Sequence, residues 1–248
     1  MLNIVIPMAG RGSRFSQKGY SSPKPLIPIH GKPMIELVIK NLKPVGLQRF
    51  IFLCLKEHLE QYPLERNLKA WAPGCEIVPV VSVTEGAACT VLLAKNLINS
   101  STPLMIANSD QWVNMTIDDY LSSLTGLDGL IMTMTASDPK WSFIRIGHDN
   151  LVTEVVEKKV VSSEATVGIY NFAQGSDFVL AAESMIRKNL RVNNEFYVAP
   201  VYNELVTLKK KIGFYNIGLD GEKMFGLGTP EDLENFLRIP LSKKAAGL

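Results

Sequence analysis

Four short apolar runs, Leu2–Pro7, Phe50–Leu55, Ile77–Val81 and Leu104–Ala107, do most to limit the folds open to this chain. Each is four to six residues long and rich in valine, isoleucine and leucine, the mark of strands buried on both faces. Between them lie Pro33–Asn41, Glu57–Trp71 and Ala87–Asn96, whose apolar residues recur at helical spacing. Strand, helix and strand in succession predict a parallel sheet covered by helices on both faces. Ligands of such a sheet gather at the carboxyl ends of its strands.

After Asp110 the rhythm changes. A helix at Ile117–Leu124 leads to Gly129–Thr135, and Phe143–Gly147 and Leu151–Val156 flank the polar triplet His148-Asp149-Asn150 as an antiparallel hairpin. Thr166–Phe172 reads as a further strand, followed by helices at Ser176–Asn189 and Ala199–Lys209 and a strand at Ile212–Ile217. A closing helix starts at Thr229-Pro230-Glu231-Asp232, with Thr229 as N-cap, Pro230 in the first turn and two acids at the positive helix end. No Pro/Gly-rich linker divides the 248 residues. The expectation is one α/β domain over 1–248, a three-layer αβα Rossmann-like fold with a mixed, mostly parallel central sheet.

Composition narrows the function. With 26 basic and 24 acidic residues, the chain has no general attraction for nucleic acid or anionic lipid. No apolar run reaches the roughly 18 residues a membrane helix needs, and the N-terminus lacks the basic start of a signal peptide. Three cysteines (Cys54, Cys75, Cys89), with no CxxC pair, argue against a disulfide framework or a cysteine zinc site and fit a reducing cytoplasm. The expectation is a soluble cytoplasmic enzyme acting on small molecules, without membrane or nucleic-acid partners; a homo-oligomer stays open.

The segment Ala9-Gly10-Arg11-Gly12-Ser13-Arg14-Phe15, continuing to Ser22-Pro23-Lys24-Pro25, directly follows the first strand. Gly10 and Gly12 let the backbone turn sharply and approach a ligand, so that amide groups can face phosphate oxygens. Arg14 and Lys24 add mobile positive charge at the same mouth. It is neither the Rossmann dinucleotide pattern nor a Walker A loop: position 15 is Phe, no helix is expected at once, and no Gly-Lys-Ser/Thr follows. Further on, Thr84-Glu85-Gly86-Ala87-Ala88-Cys89-Thr90 places small residues at a helix start, where a flat ring can lie against the backbone. Asn108-Ser109-Asp110 ends a buried strand with a lone carboxylate suited to a hard cation. In Val156-Glu157-Lys158-Lys159, Lys158 can hold a phosphate and Glu157 can accept from hydroxyl groups, while Gly168 leaves room for a bound body. Glu195, in Asn194-Glu195-Phe196-Tyr197, can reach a second hydroxyl. The histidines show no zinc-ligand spacing and no Ser/His/Asp arrangement.

Taken together, Gly10-Arg11-Gly12-Ser13-Arg14, Pro23-Lys24-Pro25 and Gly31-Lys32-Pro33-Met34-Ile35 resemble the sugar-phosphate nucleotidylyltransferases, the pyrophosphorylases that make nucleotide-sugars. The resemblance implies a fold with a nucleotide-binding half (1–110) and an acceptor-binding half (111–248). It implies transfer from a nucleoside triphosphate to a phosphorylated acceptor, commonly a sugar 1-phosphate, with release of pyrophosphate and Mg²⁺ as cofactor. The small members of the family serve capsule and lipopolysaccharide synthesis. By the same resemblance Arg14 and Lys24 are catalytic. The nucleotide falls to Ala9, Gly10, Arg11, Gly12, Ser13 and Ser109, and its base to Gly86 with Glu85 or Ala87. Glu157, Lys158, Gly168 and Glu195 take the acceptor, and Asp110 takes the metal. One departure stands out: where the family often carries Asp-x-Gly-Thr-Pro, this chain has Gly226-Leu227-Gly228-Thr229-Pro230. Either the metal has one protein carboxylate, which Mg²⁺ tolerates, or Asp220 substitutes. Cytidylyltransfer to a phosphocholine-like acceptor, a nucleotide-sugar-dependent glycosyltransferase and a non-catalytic nucleotide-binding regulator remain as alternatives; the second would want two acids in a D-x-D motif, and Asn108-Ser109-Asp110 has one.

Overall fold

The computed structural model describes residues 1–248. The first strand, β1 (Leu2–Met8), sets the pattern for the sheet: Ile4, Ile6 and Met8 pack into one apolar layer and Val5 into the other. Alternate residues of a strand point to opposite faces, so an apolar residue at nearly every position requires cover on both. A one-turn helix, α1 (Ser13–Ser16), starts at once after Gly12, contrary to expectation; Gly12 takes the left-handed conformation (φ 63) that turns the chain into it. Strands β2 (Pro28–Ile29) and β3 (Lys32–Pro33) form a small hairpin ahead of α2 (Met34–Leu42).

Strand β4 (Gln48–Leu55) precedes α3 (Lys56–Gln61) and α4 (Leu64–Trp71), where one continuous helix was expected. Pro63 divides them, because it has no N–H to donate and drives Tyr62 into an extended conformation (φ −128, ψ 153). After β5 (Glu76–Val80), the helix expected over Ala87–Asn96 is likewise two pieces, α5 (Ala87–Leu92) and α6 (Lys95–Ile98). Strands β6 (Leu104–Ala107) and β7 (Gln111–Val113) lead to α7 (Ile117–Ser122). Thr116 holds the N-cap position of α7 but makes no cap hydrogen bond. The second half adds β8 (Gly129–Thr135), β9 (Ser142–Ile146), β10 (Val152–Glu157), β11 (Glu164–Phe172), α8 (Gly175–Arg187) and α9 (Val201–Thr207). Strands β12 (Ile212–Leu219) and β13 (Met224–Gly226) and helices α10 (Pro230–Arg238) and α11 (Leu241–Ala245) complete it.

Nine strands form one mixed sheet with the path β10-β9-β11-β6-β1-β4-β5, and β8 joins β11 to β12. The centre is parallel: β1 pairs with β4 and β6, and β4 with β5. The sense reverses where β11 lies antiparallel to β6. The hairpin around His148-Asp149-Asn150 forms between β9 and β10, with Asn150 at φ 61. Helices α5, α8 and α9 cover one face and α2, α4 and α7 the other. A third cluster, outside the sheet, joins Phe15, Ile29, Met34 and Trp112 to Leu227, Leu233 and Phe236. It rests on the pairing of β7 with β13, which sets Gln111 opposite Gly226. No helix is long and apolar enough to cross a membrane.

Candidate active site

At the carboxyl ends of β1 and β6 a cavity of about 660 Å³ opens across the sheet. The glycine loop makes one wall. Gly12 packs so closely on Lys24 that an added Cβ would stand 3.0 Å from the lysine Cβ, which fixes where Lys24 leaves the backbone. Lys24 Nζ then donates to Asp110 Oδ2 at 2.8 Å, with both side chains largely shielded (21% and 25% exposed). Opposite Asp110 stands Gly228, where a Cβ would come within 2.7 Å of the carboxylate, so only glycine leaves the acid in place.

The second wall is supplied by Gly86 and Ala87 of the Glu85–Ala88 turn at the start of α5. Gly86 has φ 131, and a Cβ there would lie 2.4 Å from the Phe196 carbonyl oxygen. Phe196 N–H donates to the Glu85 carbonyl at 2.8 Å, and Ala88 N–H donates to the Phe196 carbonyl at 3.0 Å. The turn is therefore tied to the Asn194–Tyr197 segment from the other half of the chain. Thr84 Oγ1 donates to the Gly86 carbonyl at 2.9 Å and lies 2.6 Å from Thr90 Oγ1.

The third wall comes from β10 and β11. Burial pushes the Glu157 carboxyl up, while a hydrogen bond from Ser142 and the Lys158 ammonium pull it partly back and Glu195 adds to the rise. Lys158 Nζ donates to Tyr197 Oη at 2.6 Å. Gly168 (φ 90) lets the backbone pass against Asn108 and Gln111; an added Cβ would lie 2.2 Å from Asn108 Nδ2 and 2.7 Å from Gln111 Oε1.

Most of the residues named from sequence meet here. Ala9, Gly10, Arg14 and Lys24 line the loop wall, with Gly86, Ala87, Ser109 and Asp110 beyond them. Glu157, Lys158, Gly168 and Glu195 line the opposite side. Arg11, Gly12, Ser13 and Glu85 do not reach the cavity wall. Gly12 is spent on the turn and on Lys24, and Ser13 on opening α1. Arg11 is exposed. Glu85 faces solvent and pairs with Arg191 at 3.2 Å. Sequence reading did not assign Trp141, Gln111, Tyr197 or Asp232 to the site, although all are on the wall. A tryptophan in the polar turn Asp138-Pro139-Lys140-Trp141 and a tyrosine two residues after Glu195 are the signals that could have shown them.

The donor set bears on a metal. No group of three or more His, Cys, Asp or Glu side chains is placed to hold one. Asp220 is not on the wall; it accepts from Trp141 Nε1 at 3.3 Å. The carboxylate near the bare Gly226 is that of Asp232, whose Oδ2 would lie 3.9 Å from a Cβ at position 226. Two aspartates thus stand beside the Gly226–Gly228 strip, each with one oxygen already accepting, Asp110 from Lys24 Nζ at 2.8 Å and Asp232 from Thr229 Oγ1 at 2.7 Å. Their remaining oxygens are donors of the kind Mg²⁺ takes together with phosphate and water.

A mixed sheet with a glycine-rich loop after its first strand, a carboxylate after β6 and a cavity at the carboxyl ends of its parallel strands defines an α/β protein with its ligand site at the strand ends. A family model described as nucleotidyl transferase matches residues 4–198, and the chain belongs to that family. The bifunctional protein GlmU of Methanococcus maripaludis is 24% identical over 181 residues, covering 68% of this chain and 39% of its own. The mannose-1-phosphate guanylyltransferase catalytic subunit beta of Dictyostelium discoideum is 26% identical over 183 residues, covering 69% of this chain and 49% of its own. The chain thus spans less than half the length of these relatives. Among solved structures, the nucleoside-diphosphate-sugar pyrophosphorylase of Vibrio cholerae RC9 shares the fold with a TM-score of 0.82. It has 24% identity, with 95% of this chain and 100% of that one covered. UDP-glucose pyrophosphorylase from Acinetobacter baumanii follows the same fold with a TM-score of 0.71 and 17% identity, covering 100% and 98%.

Proposed function

We propose that this chain transfers a nucleotidyl group from a nucleoside triphosphate to a phosphorylated acceptor, a sugar 1-phosphate. The observation that carries the reading is the Lys24–Asp110 pair standing beside Arg14 on one wall of a cavity whose opposite wall carries Lys158 and Glu157. An oxygen of the acceptor phosphate attacks the α-phosphorus, the bond from that phosphorus to the bridging oxygen breaks, and pyrophosphate leaves with the electron pair. The acceptor oxygen is already anionic, so no base is needed, and none of the three histidines lines the cavity.

The work of the protein is then positioning and charge neutralisation. The Gly10 backbone lies along the phosphates while Arg14 and Lys24 face the departing pyrophosphate. Gly86 and Ala87 take the base, and Ser109 lies beside the nucleotide. Lys158 holds the acceptor phosphate, Glu157 and Glu195 accept from its hydroxyl groups, and Gly168 leaves room for its ring. In this reading residues 1–110 serve mainly the nucleotide and 111–248 the acceptor. Asp110 and Asp232 would hold Mg²⁺, which when bound screens phosphate charge.

The test is a pyrophosphate-release assay of the four common nucleoside triphosphates against glucose 1-phosphate, mannose 1-phosphate, N-acetylglucosamine 1-phosphate and phosphocholine. The expected result is turnover with a sugar 1-phosphate, reduced by about a hundredfold or more in Lys24→Ala and in Asp110→Ala. Turnover unchanged in both variants overturns the assignment, and turnover with phosphocholine alone moves it to the cytidylyltransferases of that kind.

A further inference from the structure

Lys158 follows the last residue of β10, in the left-handed conformation (φ 54), on an exposed stretch. A four-carbon side chain in such a place would ordinarily spread over many rotamers. Here its ammonium has a seat. Nζ donates to Tyr197 Oη at 2.6 Å and lies 4.6 Å from the centre of the tyrosine ring.

Tyr197 has little freedom of its own. Its neighbour Phe196 is fully buried and bonded through both backbone groups to the Glu85–Ala88 turn. The Arg191 guanidinium stacks 4.2 Å from the centre of the Phe196 ring while pairing with Glu85 at 3.2 Å. Two consecutive residues therefore tie two walls together: Phe196, buried behind the cavity, holds the Glu85–Ala88 turn through its backbone, and Tyr197, on the cavity wall, holds the lysine.

We propose that Tyr197 is a positioning residue that holds Lys158 Nζ where the acceptor phosphate is taken up, in register with the Glu85–Ala88 turn. An ammonium has three N–H donors; one goes to the phenol and two stay free for phosphate oxygens. The phenol acts through the lysine and does not touch the reacting atoms. The inference rests on the assignment of Lys158 to the acceptor phosphate, and its test separates the two.

Wild type, Tyr197→Phe, Lys158→Ala and the double variant are compared, using the sugar 1-phosphate and triphosphate with the highest kcat/KM in the panel above. Tyr197→Phe keeps the ring and removes the hydroxyl. Its KM for the sugar phosphate is expected to rise about tenfold, with kcat and the triphosphate KM within about twofold of wild type. In the Lys158→Ala background the same change is expected to add nothing, whereas a merely structural role would add equally in both backgrounds. Tyr197→Leu, which removes the aromatic face as well, raises the KM further and replaces the Phe variant if that protein melts early. An unchanged KM in Tyr197→Phe beside a raised one in Lys158→Ala overturns the positioning role alone, as does an equal rise in both backgrounds. An unchanged KM in Lys158→Ala overturns the lysine's own assignment, and no turnover with any pair in the panel removes both.

Discussion

Burial holds the Glu157 carboxyl above its ordinary value of 4.5, although Ser142 and Lys158 pull it back. In the unfolded chain the group ionises at the ordinary value, so the folded state is relatively favoured at low pH. It loses stability as pH rises from 4.5 through the raised folded value. Glu157→Gln, neutral at every pH, is therefore expected to raise the melting midpoint by a few degrees at pH 7 and to leave it unchanged at pH 4, measured by thermal denaturation. The acceptor KM is expected to rise at the same time, because a carboxylate that accepts from hydroxyl groups is being exchanged for an amide. Glu157 was legible in the sequence because an acid next to a lysine at a strand end is a recognisable pair. Glu85 was equally visible but turns outward to Arg191. A residue name and its place in a turn do not say on which side of the backbone the side chain leaves. Tyr197 stayed hidden for a related reason: its partner Lys158 is far away in sequence, and only the fold brings them to 2.6 Å.

The central strands β1, β4, β6, β8 and β11 were legible as elements because each has several consecutive buried residues that must be covered on both faces, and β9 and β10 because a polar turn joins them. The two- and three-residue strands β2, β3, β7 and β13 were not, since so few positions show no periodicity. Yet β7 and β13 bring Gly226 beside Gln111 and so carry Gly228 and Asp232 to the wall. The helix breaks at Pro63 and Leu93 were lost for the opposite reason, because the helical spacing runs on across them. Among the turns, the one at Gly86 is tightly confined by backbone. Gly86→Ala places a Cβ 2.4 Å from the Phe196 carbonyl oxygen at a φ of 131. Both the clash and the backbone strain oppose it, with an expected destabilisation of about 3 kcal/mol or more. Urea unfolding measures this loss, and turnover is expected to fall with it as the Asn194–Tyr197 segment loses its anchor.

Across the whole molecule the cavity is made from segments far apart in the chain: the loop after β1, the turn before α5, the ends of β6, β10 and β11, and the start of α10. The family match over residues 4–198 leaves out the last of these. The third apolar cluster is what binds that late segment to the early loop, because Phe15 and Phe236 share it. Phe236 also packs 5.9 Å from Trp112 and 5.3 Å from Phe225, ring centre to ring centre. Phe236→Ala is expected to cost roughly 3–5 kcal/mol in urea unfolding, and in steady-state kinetics to raise the KM for the triphosphate more than that for the acceptor. The coupling between early loop and late helix has a bearing on synthesis. While the ribosome is still reading the codons for α9, the nascent chain already owns the glycine loop, but Phe15 has only the early members of its cluster, such as Ile29, Met34 and Trp112, and lacks Leu227, Leu233 and Phe236. The mouth of the cavity is unfinished at that stage, and it is completed only when the segment after β12 has emerged and swung back over the beginning.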